Sequence, residues 1–485
     1  MGGDSGNRVT APSGGAVAVV RATPVQLSIH HHDGSSEPPT AVPVGQTVRL
    51  KGVPRGGGAG SYRWRTISGK IRLEEVETDT VTVIGGGQPS SAARGEEIIL
   101  SYRSDDGRIE AEASVTIRVI SVVFSAAGNQ RQGYDDMDNA AGVKHHVSVR
   151  KNDTTTVRVV IQGGADSSVL HFVSDNTAVA EAVPPASPGR AFDLTVNGGA
   201  QNRAETAIHA HVNSEEGPVA ETLMVNVYRL REVQATVAKI VDSTSSGTSL
   251  SRPNFSVANA ATAINGWYRA VVGTLALTDH SSGGGTIDID YDANNNGILE
   301  LEPGTTSSEL QAITAVFNPS GQKIIIVRDI VWIYLLQTAA SAGDTTITLR
   351  SSYARSMRFI VDGNTYSIGV GDGAEPITIA SKSGTTVTLD SALERDHPLG
   401  EGLMRPISGL SGNPIIVAEQ GKTLAKERET VGHECGHSLM NWRDVDSSDN
   451  LMHYSSGRSD TRLRFKELPK RYHSGNENQW NKVRR

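Results

Sequence analysis

Cysteine is almost absent: Cys435 is the only one in 485 residues. That excludes an intrachain disulfide framework and any zinc knuckle built from several cysteines. Aromatic residues make up 5% of the chain, so its cores must be built mainly from aliphatic side chains. Positive charge is not in excess either, with 46 Lys and Arg against 53 Asp and Glu and a formal net charge of −7. Without a global basic field, nucleic acid is not an expected partner. Long apolar runs are missing too. The most apolar stretch, 324–336, contains Arg328 and Asp329 and is shorter than a bilayer span, so no membrane span is expected. The first residues lack the basic and apolar regions of a secretory signal. The expectation is export, or association with a particle, without a cleavable signal peptide; a cytoplasmic location is the alternative.

Glycine is plentiful, at 51 residues, and it punctuates short alternating runs. At roughly 100–200 residues per domain, the length suggests three or four domains. Residues 1–24 read as a flexible lead. From 25 to 121, runs such as Gln46–Leu50, Thr78–Ile84 and Ala113–Ile120 alternate apolar and polar residues between turn signals, with Trp64 on a middle strand. This predicts an all-β sandwich with Trp64 in its core. Residues 122–228 repeat the pattern, and Val173-Ser-Asp-Asn-Thr-Ala-Val-Ala180 is similar to a strand-turn signature of bacterial immunoglobulin-like domains.

Past Arg229 the periodicity changes. Apolar residues at helical spacing follow Ser256, a residue suited to cap a helix, and a second short helix is predicted over 307–317. Strands are expected at 286–290 and 323–327, the latter as an edge able to align an extended peptide by strand addition. Residues 338–405 turn β-rich again, and a last helix is predicted over 422–440. The reading is an α+β domain over 229–485 with a small β module, 338–405, inserted in it.

The segment Thr430-Val-Gly-His-Glu-Cys-Gly-His-Ser-Leu-Met places His433 and His437 one turn apart on a helix, on one face. Two imidazoles at that spacing can converge on one Zn²⁺, with Glu434 beside the first to take a proton from water. Cys435 lies about 100° around the helix and is expected to pack inward. The plain alternative is a helix with two incidental histidines.

Together with Asn450-Leu-Met-His-Tyr454, this stretch resembles the metzincin clan of zinc metallopeptidases. The resemblance implies Asp444 as third zinc ligand, Met452 as the Met-turn methionine beneath the metal, and Tyr454 as a catalytic oxyanion donor. Met440 stands where the clan has a glycine, so the turn would rest on Asn441, with the third ligand shifted by one residue. Asp446 is the rival third ligand, and His453 a weaker one.

The loop Asp290-Tyr-Asp-Ala-Asn-Asn-Asn-Gly resembles the front of an EF-hand loop, with Asp290, Asp292, Asn294 and Asn296 as candidate Ca²⁺ ligands. A hairpin with no ion is the competing reading. His30–His32, His145–His146 and the same-face pair His209 and His211 all lack a third ligand in sequence. The function these features imply is a zinc endopeptidase acting on a protein or peptide substrate and carried on immunoglobulin-like domains. The alternative is a structural or adhesive component of a phage-tail-like or contractile injection apparatus, since the texture of residues 338–405 resembles modules of tail-like proteins.

Overall fold

The computed structural model describes residues 26–440, apart from 33–36, 56–58, 108, 129–132, 138–143, 244–254, 281–285, 305–306, 370–373 and 420–422, together with 451–452. The chain is multidomain and mostly β, with three α-helices among the described residues: α1 (Val257–Tyr268), α2 (Ser308–Val316) and α3 (Leu424–Met440). None of them is long and apolar enough to cross a membrane.

The first sandwich sets the antiparallel sheet formed by Gln26–His31, Thr47–Arg55, Thr80–Gly85 and Ile71–Glu74 against the strands Gly60–Thr66 and Glu96–Ser104. Its alternating runs put Val48 and Leu50, Val81 and Val83, and Ile98 and Leu100 into one core with Trp64. The indole nitrogen of Trp64 donates to the Thr78 carbonyl at 2.9 Å, which satisfies the one polar atom this ring buries.

One strand runs through both sandwiches. Glu110–Ala126 has 17 residues and is rich in Val and Ile, as a long half-buried strand should be. Its residues 110–117 pair with Glu96–Arg103, 118–120 pair with Ala41–Pro43, and 121–126 pair with Val157–Gln162. A single seven-stranded sheet therefore spans the two units. The division at 121/122 drawn from sequence falls inside this strand. The second sandwich is completed by a five-stranded sheet that includes Leu170–Ser174, Ala204–Val212, Val219–Tyr228 and Lys144–Arg150. Asn213 adds a tie between the units: its side chain accepts from Ala41 N at 3.1 Å and donates to Ala41 O at 2.8 Å.

In the third unit Gly273–Asp279, Arg231–Val241, Gln322–Val327 and Ile415–Ala418 lie side by side and parallel, and Gly409–Leu410 closes the edge antiparallel. Helices α1 and α3 cover one face, over Ile324, Ile326, Ile415 and Val417; α2 covers the other, over Ile325, Val327 and Ile416. Helices on both faces of a mostly parallel sheet make an α/β arrangement, and the α+β metzincin-like domain expected from sequence is not shown by the described residues. Residues 324–327 are fully buried because both faces of the sheet are covered. The strand is therefore central, not an edge, and cannot receive an added peptide. The helix caps follow the sequence: the Ser256 hydroxyl accepts from Asn259 N at 3.4 Å and that of Ser307 from Leu310 N at 3.1 Å.

The β module has its own core around Tyr334, Tyr353, Ile368 and Leu403. Its sheet reaches beyond 338–405, because Ile330–Leu335 pairs with Gly402–Pro406 to form the stem.

Candidate functional site

Helix α3 is held at a fixed height over the parallel sheet. A Cβ at Gly432 would stand 2.7 Å from the Trp267 ring, so only glycine lets α1 and α3 pack this closely. The Tyr268 hydroxyl donates to the Gly432 carbonyl at 2.7 Å, and the Arg231 guanidinium donates to the Leu439 carbonyl at 2.7 Å near the helix C-terminus. Cys435 is fully buried in the core beneath the helix, and that burial, with the Glu434 charge beside it, pushes its thiol well up from the usual range.

The opposite side of the same turn carries the polar groups. His433 is buried, and its Nδ1 lies 3.0 Å from the Leu451 carbonyl. A carbonyl only accepts, so Nδ1 holds the proton and Nε2 presents a lone pair. That Nε2 lies 3.0 Å from the Nε2 of His437, with the rings at 90°. Glu434, between them in sequence, is nearly buried against the edge strand, where a Cβ on Gly409 would come within 2.8 Å of its Cγ. Met452 is fully buried in the core that includes Val431 and Cys435. The structure thus brings together His433, His437, Glu434 and the segment Leu451–Met452. Asp444 and Tyr454 lie outside the described residues, as do Asn441, Asp446 and His453.

The resemblance to the metzincin zinc metallopeptidases is not borne out. Among the described residues no group of three or more His, Cys, Asp or Glu side chains is placed to hold a metal ion. Two imidazoles supply two donors, whereas a catalytic zinc site needs three protein ligands and an open position. The designations hydrolase, metalloprotease and zinc protein that followed from the resemblance lose that support with it.

The loop after Asp290 closes on itself. Asp290 is exposed, whereas Asp292 is buried and accepts hydrogen bonds from Gly297 N and, at 3.1 Å, from Asn296 N. The side-chain amides of Asn294 and Asn296 donate to Glu300 Oε1 at 3.1 and 2.8 Å. Asp242 and Glu309, which sequence reasoning missed, stand behind the loop. Asp242 accepts from Tyr291 N at 2.8 Å and Asp292 N at 2.9 Å, and Glu309 from Glu300 N at 2.6 Å. Burial, reinforced by the charges of Glu300 and Asp292, pushes Glu309 up to about 7. Both carboxylates come from other elements, so spacing within the loop carried no sign of them.

No family model matches the chain, and no curated protein matches it. Solved structures do. Fibronectin(III)-like modules of Clostridium thermocellum CbhA are 12% identical over 42% of this chain and 94% of theirs, with a TM-score of 0.21. The three N-terminal domains of the bacteriophage RB49 highly immunogenic outer capsid protein are 14% identical over 43% and 71%, also at 0.21. Domains 4 and 5 of the S-layer protein SbsC are 15% identical over 42% and 100%, at 0.16. At such identities and TM-scores the likeness carries no functional argument.

Proposed function

We propose that the chain is a structural or adhesive protein whose two sandwiches act as one stiff spacer carrying the third unit. The carrying observation is the strand Glu110–Ala126, which pairs in both sandwiches and leaves no flexible linker between them. A component of a phage-tail-like or injection apparatus is the partner setting this reading favours. Immunogold labelling of particles released by the producing cells, with antibody against residues 26–228, tests it. Gold on assembled particles is expected; label confined to soluble material would overturn the assignment.

A second reading is favoured by one geometry, the facing Nε2 atoms of His433 and His437 at 3.0 Å. These two side chains would hold a divalent ion such as Zn²⁺, which polarises water and carbonyl groups. Glu434 adjoins them on the helix and would take a proton from water bound to such an ion. Metal analysis of the purified wild type and of His433→Ala tests the pair: one zinc equivalent lost in the variant supports metal binding on α3, and unchanged zinc content overturns it.

A further inference from the structure

The second sandwich carries three histidines on one face of its five-stranded sheet. His209 and His211 share a face of the strand Ala204–Val212 by the two-residue repeat, and His171, on the edge strand Leu170–Ser174, stands directly opposite His211 in the ladder. The inward neighbours Leu170, Ala210 and Val212 fill the core, which fixes the three imidazoles on the outer face. All three are half-buried.

The hydrogen bonds of His209 and His211 differ, and the difference sets His209 apart. His211 Nδ1 lies 2.7 Å from the Gly217 carbonyl, which can only accept, so Nδ1 carries the proton and Nε2 is left as a donor atom for a ligand. An imidazole fixed through one nitrogen by a backbone carbonyl is the usual support of a metal ligand. The turn that supplies this carbonyl requires glycine: a Cβ at Gly217 would lie 1.9 Å from the Val212 oxygen. His209 is fully engaged, with Nε2 at 3.1 Å from the Asp175 carboxylate and Nδ1 at 2.9 Å from the Thr222 hydroxyl. Its ring centroid is 5.9 Å from that of His211, at 79°. Asp175 and the exposed Glu215 and Glu216 of the nearby turn give the surroundings a negative charge that attracts cations.

We propose that His171 and His211 form a two-imidazole site for a divalent transition-metal ion, completed by water, with His209 as a positioning neighbour. This agrees with the absence, among the described residues, of any gathered group of three or more ligands. Imidazole donors favour Cu²⁺ above Zn²⁺, so copper is the probe of choice.

The experiment is Cu²⁺ titration of the full chain by calorimetry and electron paramagnetic resonance, comparing the wild type with H171A, H211A and H209Q. The histidines of α3 are common to all four proteins, so each comparison isolates the sheet. H171A and H211A should each lose the same single copper equivalent and its nitrogen couplings, while H209Q keeps it. Unchanged stoichiometry in H171A or in H211A overturns the pair, and loss in H209Q overturns the assignment of two ligands. Circular dichroism checks each fold, and H171Q or H211Q replaces a variant that fails to fold.

Discussion

Val119 and Ile120 are neighbours in one strand, both fully buried, and they lie in different cores. Ile117 and Val119 point into the first sandwich; Ile120, Val122 and Phe124 point into the second, from the other side of the pleat. The shared strand is thus the structural joint of the two units. Ile120→Ala should lower stability by about 2–5 kcal/mol and Val119→Ala by a comparable or smaller amount. Because the strand couples the cores, either change should lower the unfolding transition of residues 26–228 as one cooperative event in urea. Two separated transitions in the wild type would contradict the joint.

The third unit borrows a residue from the second. Tyr228 ends the strand Val219–Tyr228 yet is buried in the core under α1 and α3. A fragment beginning at residue 229 should therefore be less stable than one that includes Tyr228. Tyr228→Ala in the full chain should cost about 3 kcal/mol or more, as other large aromatic truncations do. Equal thermal midpoints for the two fragments would show that the ring contributes nothing.

Cys435 should be chemically silent. Burial and the raised thiol keep the reactive thiolate scarce, so alkylation by iodoacetamide should proceed in denaturant and be negligible in the native protein. Labelling followed by mass spectrometry measures both rates.

Glu309 gives a pH signature. Its folded value is raised to about 7 from 4.5, so between those limits the native state holds more protons than the unfolded chain. Its contribution to stability is greatest below pH 4.5, falls as pH rises towards 7, and is flat above. Glu309→Gln should remove that slope, and the difference between the wild-type and variant urea midpoints from pH 5 to 8 reads it directly.

The edge strand limits Glu434. In Gly409→Ala the new methyl would meet the Glu434 side chain, with Cγ at 2.8 Å and Oε1 at 2.9 Å, and the Thr430 methyl at 3.0 Å, so the Glu434 side chain must shift. The fold should survive with the carboxylate displaced. Bound metal should stay constant in Gly409→Ala and in Glu434→Gln, because Glu434 is not one of the two imidazole donors, and metal analysis of each variant reads it.

Local chemistry was legible in the sequence. Alternation in Thr78–Ile84 and Ala113–Ile120 placed strands with their buried faces, and Ser256 and Ser307 marked two helix starts, because periodicity and capping depend on near neighbours. The HExxH spacing likewise put His433 and His437 together on one helical face. What it could not give was a partner from elsewhere in the chain. Only the tertiary fold made 323–327 a central strand, carried Glu110–Ala126 through two cores, set Asp242 and Glu309 behind the loop at 290–300, and laid His171 beside His211. The same limit misled the reading of α3, where a local motif suggested a three-ligand metal centre and the described residues supply two imidazoles. Strand order, sheet faces and ligand sets are made by residues distant in sequence, and no local pattern encodes which of them will meet.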